Sequence, residues 1–230
     1  TLPSLYPYAT QINGDQNFQA EFTYNLRKKS KLGGKYGTSL NLNYSTAYGP
    51  NRNVSGVNPL DSTGVAYSTG LFDMSDSLYW QDINFNITRK FNKKFNLKLS
   101  YFNLTLNNDV AKVTGNAHGL IKTNIGVVEA GYKINKKHSV RVEAQGLFLN
   151  KVHDDKTGEL VINDNGNWAT VLIEYNVSPH WFFSIMDQYN YGNPDDDLKL
   201  HYFYGSFGYI KDATRITIGY GRQRAGLFCV

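Results

Sequence analysis

Two short acidic stretches hold the residues best suited to chemistry. His153, Asp154 and Asp155 stand together in "KVHDDKTGEL", and a histidine beside two carboxylates has the makings of a general base for hydrolysis. One contiguous tripeptide cannot set a nucleophile, a base and an orienting group within hydrogen-bond reach of one another, and its polar surroundings read as a solvated loop. "NPDDDLK" at 193–199 offers oxygen ligands for Ca²⁺. It lacks the spaced acids and distal glutamate of a twelve-residue calcium loop, so its carboxylates are expected to serve the turn itself. His201 with Ser184 or Ser206 is the remaining pairing of base and hydroxyl. The chain carries no Cys-x-x-Cys, no clustered His/Cys spacing and no phosphate loop, so neither a cofactor nor a metal is expected and the protein does not read as an enzyme. Cys229 is the single cysteine, and reactive thiol, core residue and half of a disulfide all stay open for it.

The other charged residues of interest lie inside regular patterns: Glu21, Lys98, Arg141, Glu143, Glu174 and Arg215 each fall on the polar side of a strictly alternating segment. In the first segment Phe18, Ala20, Phe22, Tyr24 and Leu26 alternate with Gln19, Glu21, Thr23, Asn25 and Arg27, the period-2 signature of a strand with one apolar face. The pattern predicts ten such strands, at about 18–27, 36–45, 79–89, 95–106, 120–134, 140–148, 169–177, 181–185, 200–210 and 214–223, and no helix. From Phe102, and again near Val127 and Val128, the apolar residues change parity, which reads as a β-bulge shifting the phase by one.

Connections between these strands alternate strictly in length. Short basic turns ("KKSKLGGK", "RKFNKKF", "NKKH", "SPH", "KDA") follow every odd strand, and long polar loops (48–77, 107–119, 151–166 and 190–199) follow every even one. That layout, with strands of about ten residues, is expected of a transmembrane antiparallel up-and-down β-barrel of a bacterial outer membrane, with short turns periplasmic and long acidic loops extracellular. The 17 Tyr and 13 Phe fit the same reading, because rings gather near strand ends where hydrocarbon meets headgroups: Tyr36, Tyr44, Tyr48, Tyr79, Trp80, Phe91, Phe95, Trp168, Tyr175, Trp181, Tyr189 and Tyr209. No run of about 18 apolar residues is present, so no membrane-spanning helix is expected.

Net charge is +5, with most of the basic residues in or beside the short turns and most of the acids in the long loops. A basic rim beside anionic headgroups explains this better than nucleic-acid binding, which needs one continuous basic surface with stacking rings. Six charges on the polar face would point into a lumen and tune a pore or pair across it. Ten strands with odd turns below would place both ends of the chain outside, the alternative being that the ten close alone with inverted polarity. The expectation is therefore one domain over 1–230 that is incomplete at both ends, within a barrel of 12 or more strands, acting as a pore or as a scaffold subunit of an envelope complex. A surface hydrolase and a soluble β-sandwich are the alternatives.

"LYPYATQINGDQNFQAEFTYN" at 5–25 and "ITIGYGRQRAGLFCV" at 216–230 resemble the C-terminal portion of an uncharacterised outer-membrane β-barrel family of Bacteroidota, and the Asn-, Lys- and Tyr-rich composition suits flavobacterial members. The resemblance implies location and architecture but no activity, and partners drawn from outer-membrane lipid, lipopolysaccharide and secretion or uptake machinery. It also implies a second cysteine beyond Val230 and thus a loop disulfide for Cys229. In such an envelope Asp61-Ser62-Thr63 and Asp76-Ser77-Leu78 look like O-glycan acceptor triplets, with Ser62 and Ser77 as the modified residues.

Overall fold

The computed structural model describes residues 2–11, 14–53, 67–111, 119–150, 152–153, 160–161 and 166–224. Its strands are β1 (Gln16–Leu26), β2 (Thr38–Pro50), β3 (Met74–Lys90), β4 (Phe95–Asn107), β5 (Leu120–Lys133), β6 (His138–Leu149), β7 (Val152–His153), β8 (Leu160–Val161), β9 (Trp168–Val177), β10 (Trp181–Tyr189), β11 (His201–Lys211) and β12 (Thr214–Gly221). Ten of them form one antiparallel sheet in simple meander order, while β7 and β8 pair only with each other. The protein is all-β, with a four-residue helix, Asn108–Ala111, and two short 3₁₀ turns as its only helical pieces among the described residues. Among the described residues the sheet is open: β1 and β12 each hydrogen-bond to a single neighbour.

Register fixes which side chains share a face. Phe22 lies opposite Leu42, Leu42 opposite Phe85, Leu99 opposite Val128, Val142 opposite Ile173, Ile173 opposite Ile185, and Phe207 opposite Ile218. These ten side chains, one from each strand of the ten-stranded sheet, are all exposed. The opposite face is covered in part by an N-terminal segment, residues 2–11, that begins with the 3₁₀ turn Leu2–Leu5. Leu2, Leu5 and Tyr6 are buried there against Leu104, Leu106, Ile121, Ile125, Leu147 and Trp168. We call the two sides the bare face and the strap face. Burying three such side chains contributes on the order of 2 kcal/mol each to holding the strap down.

Two sequence expectations do not hold in the structure. β3, β4, β5 and β6 pair without interruption, Trp80 opposite Leu106 through Lys90 opposite Asn96 and Leu106 opposite Ile121 through Phe95 opposite Tyr132, so neither Phe102 nor Val127 marks a bulge. What changes at those positions is polarity. Toward the loop end, Phe102, Leu104, Leu106, Ile121 and Ile125 turn the strap face apolar to receive the strap. On the other side Tyr101 Oη donates to Asn124 Oδ1 at 2.6 Å, Asn103 Nδ2 donates to the same oxygen at 3.0 Å, and Asn124 Nδ2 reaches Asn150 Oδ1 at 3.1 Å. The register irregularities lie instead at Tyr48 in β2. Second, Tyr79, Trp80 and Trp168 are not part of an outward ring girdle. Tyr79 and Trp168 are buried, and Trp80 stacks on Tyr8 of the strap with centroids 6.0 Å apart. Phe91 with Phe95 (5.5 Å) and Trp181 with Tyr209 (4.8 Å) do cluster at the short-turn end.

Turn chemistry explains the tight ends. Asn92 Oδ1 accepts from the backbone N–H groups of Lys94 and Phe95, and Asn135 Oδ1 accepts from those of Lys137 and His138, so two "NKK" turns close by the same side-chain device. Between β11 and β12 only Asp212 and Ala213 intervene, and Asp212 takes the positive φ of 53° that a two-residue hairpin turn requires.

Candidate functional site

The six charges expected on one face share the strap face, since each is out of phase with the exposed bare-face residue of its strand. They do not form one site. Arg141 is the centre of the main group: its guanidinium donates to Glu129 Oε2 at 3.0 Å and also to the Glu143 and Glu174 carboxylates. One cation therefore holds three carboxylates from β5, β6 and β9. Glu143 is the most deeply buried of these, with its side chain 6% exposed. Lys98 stands opposite Glu129 in the β4–β5 register. Glu21 instead accepts from Asn41 Nδ2 at 2.6 Å, and Arg215 lies over the Phe182 ring at 5.2 Å.

The Arg141 group is wired to the strap. Gln145 donates through Nε2 to Glu143, while its Oε1 accepts the backbone N–H of Leu2 at 2.6 Å. A hydrogen-bonded chain thus runs from the strap through Gln145 and Glu143 to Arg141. Beside it, on β1 to β3, the strap face carries an amide ladder: Asn86 Nδ2 bonds Asn41 and Asn84, Asn84 Nδ2 bonds Asp82 at 2.8 Å, and Gln19 Nε2 bonds Asn43 at 3.1 Å. A cavity of about 580 Å³ lies between this ladder and the strap residues Tyr8 and Thr10. Tyr8 donates to the Asp15 carboxylate, and burial together with that carboxylate holds its phenol well above the ordinary tyrosine range.

The candidate catalytic pairings are not brought together. His201 stands opposite Tyr189 on the bare face, where its Nδ1 bonds Asp187 Oδ2 at 2.7 Å and its ring stacks on Tyr189 at 4.0 Å. Ser184 and Ser206 face each other at 2.7 Å between their hydroxyls on the strap face, the wrong side of the sheet for His201. Asn193 Oδ1 accepts from the Asp195 N–H and Asp195 Oδ1 from the Asp197 N–H, while Asp196 pairs with Lys199, so these groups are spent on their own turn. The Lys199 ammonium holds the Asp196 carboxyl below its usual range. His153 lies in β7; Asp154, Asp155, Ser62 and Cys229 lie outside the described residues, and Ser77 is exposed in β3. Among the described residues no group of three or more His, Cys, Asp or Glu side chains could hold a metal ion.

Glu129, Gln145 and the strap were not singled out by sequence reasoning. For Glu129 a signal existed, since in "GVVEAGYK" it alternates with Val128, Ala130 and Tyr132. The strap has no periodic signal, because it packs through irregular contacts.

A family model of unknown function, DUF6029, matches residues 1–230. The chain belongs to the DUF6029 family. No curated protein and no solved structure is matched. The DUF6029 family is one of unknown function, so membership assigns the chain no activity.

Proposed function

We propose that the chain is part of a Bacteroidota outer-membrane β-barrel that serves as a scaffold subunit of an envelope complex. Its bare face would meet lipid and lipopolysaccharide, and its strap face would line a lumen. The observation that carries this is the bare face itself: all ten strands leave a large apolar side chain exposed on one side. In water such a continuous patch would be an aggregation surface, whereas against hydrocarbon it costs nothing. On β1 the apolar row from Phe18 to Leu26 spans eight residue steps, about 27 Å along the strand, a length suited to a tilted crossing. The asparagines above Tyr101 suit a position outside the hydrocarbon.

Closure follows from the same physics. Unpaired backbone groups along β1 and β12 cannot face lipid, so the proposed barrel has further strands between them, 12 or more in all. Basic short turns would lie in the periplasm and the acidic loops outside. The strap and the Arg141 group narrow the lumen, which favours a closed scaffold. The amide ladder beside the cavity favours the second reading, a pore. The opposite faces of His201 and Ser184 weigh against a surface hydrolase, and a single ten-stranded sheet weighs against a soluble sandwich. Single-channel recording of the full-length protein in planar bilayers separates the first two: a scaffold gives a silent bilayer, and discrete open steps would make it a pore.

A further inference from the structure

We propose that the neighbouring turns at 92–94 and 134–137 form a binding site for a multiply charged phosphate group. β4 and β5 are paired, so the turns at their ends stand side by side, and Lys133 N–H donates to Lys94 O at 2.8 Å across them. Between them lies an open cavity of about 640 Å³ lined by Lys93, Lys94, Lys133, Lys136 and Lys137. Each turn is held in shape by its asparagine, Asn92 or Asn135, so the lysines project from fixed frames. The hydroxyl-bearing residues Ser139 and Ser178 line the same hollow.

Three features favour this place. First, Lys35 and Lys90 of the basic rim sit 5.8 and 5.9 Å from the Tyr36 ring and Arg89 sits over Phe91, whereas among the described residues no cavity lysine is held over a ring. Second, among the described residues none of the five cavity lysines is in an ion pair, and Lys94 Nζ donates only to Ile134 O at 3.2 Å. Third, five like charges around one hollow repel across distances comparable to the Debye length, a cost that a bound anion removes. The backbone N–H groups of Lys94, Phe95, Lys137 and His138 are spent on asparagine oxygens, so recognition is by ammonium point charges. That favours charge number over the planar geometry an arginine would read.

A phosphate of this kind could come from a lipid headgroup or a soluble phosphate ester, and the test separates the two. The full-length protein in neutral detergent is titrated with pyrophosphate by calorimetry; separately, it is placed in phosphatidylcholine vesicles with or without cardiolipin and read by ³¹P NMR. The triple variant K93Q/K136Q/K137Q is compared with K28Q/K29Q/K31Q, which removes the same charge from a neighbouring turn. At about fivefold per lysine, the cavity variant should lose on the order of 100-fold in affinity and the control far less. Binding in the detergent arm marks a soluble phosphate site, and binding in the vesicle arm alone marks a headgroup site. Equal losses in both variants, or no binding in either arm, would overturn the proposal. The detergent arm does not depend on the membrane reading.

Discussion

Replacing Arg141 by Gln should be the most damaging single change on the strap face. Its guanidinium is shared by Glu129, Glu143 and Glu174. With charge centres about 4 Å apart and an effective dielectric near 20, each pair is worth roughly 4 kcal/mol, about 12 for three. The three carboxylates, about 6 Å from each other, repel by roughly 3 kcal/mol per pair, which offsets about 8 of that. Some 4 kcal/mol of net attraction is left, in line with the cost of breaking a buried pair. Arg141 and Glu174 are about a third exposed, so solvent screening reduces the expected loss to about 2–3 kcal/mol. The assay is urea unfolding of the protein reconstituted in vesicles, followed by tryptophan fluorescence. Adding Glu143→Gln to Arg141→Gln should recover part of the loss, because the carboxylate with the least access to water is then neutral. An Arg141→Gln variant within about 0.5 kcal/mol of the parent, or additive behaviour in the double variant, would refute the reasoning.

Leu5→Ala should cost about 2–4 kcal/mol by leaving a cavity under the strap, and if the strap closes a lumen it should also raise bilayer conductance; a drop in stability with conductance unchanged would separate the two roles. Tyr8 is neutral in the docked strap and its phenol is held above its usual value of about 10, chiefly by burial and then by Asp15, so its contribution is present below pH 10 and is lost as pH rises through the raised value. Alkaline release of residues 2–8, read by limited proteolysis, should therefore occur in the parent. It should lose that pH dependence in Tyr8→Phe, which keeps the stack on Trp80. Gly166 takes a φ of +55° and an added Cβ would run into the Gly192 carbonyl, so Gly166→Ala should destabilise by more than about 1 kcal/mol in the same unfolding assay.

The ten strands of the main sheet and their order were legible because alternation is a local property: Phe18 to Leu26 announces its face without reference to any other part of the chain, whereas the two-residue β7 and β8, inside the stretch 151–166 read as a loop, are too short to alternate. The parity change at Phe102 was legible as well, but its cause was not. A bulge and an exchange of polarity between faces leave the same trace in sequence, and only pairing to β3 and β5 tells them apart. Trp80 and Trp168 looked like girdle residues because their position near strand ends is local information, whereas their direction follows from a strap some 70 or more residues away. The Arg141 group was half visible. Arg141, Glu143 and Glu174 could be placed on one face by parity, but bringing Glu129 to the same guanidinium requires the β5–β6 register. The pairing of two "NKK" turns likewise depends on β4 and β5 being neighbours.

Site-directed spin labelling distinguishes a bare face that contacts lipid from one that contacts water. Labels placed one at a time at residues 22, 99, 207 and 218 and at 23, 98, 206 and 217 are examined in vesicles against oxygen and a water-soluble nickel chelate. The first set should collide mainly with oxygen and the second mainly with the chelate, with period 2 along β1, β4, β11 and β12. Equal chelate access at both sets, or a protein that stays dispersed in buffer without detergent, would contradict contact with lipid.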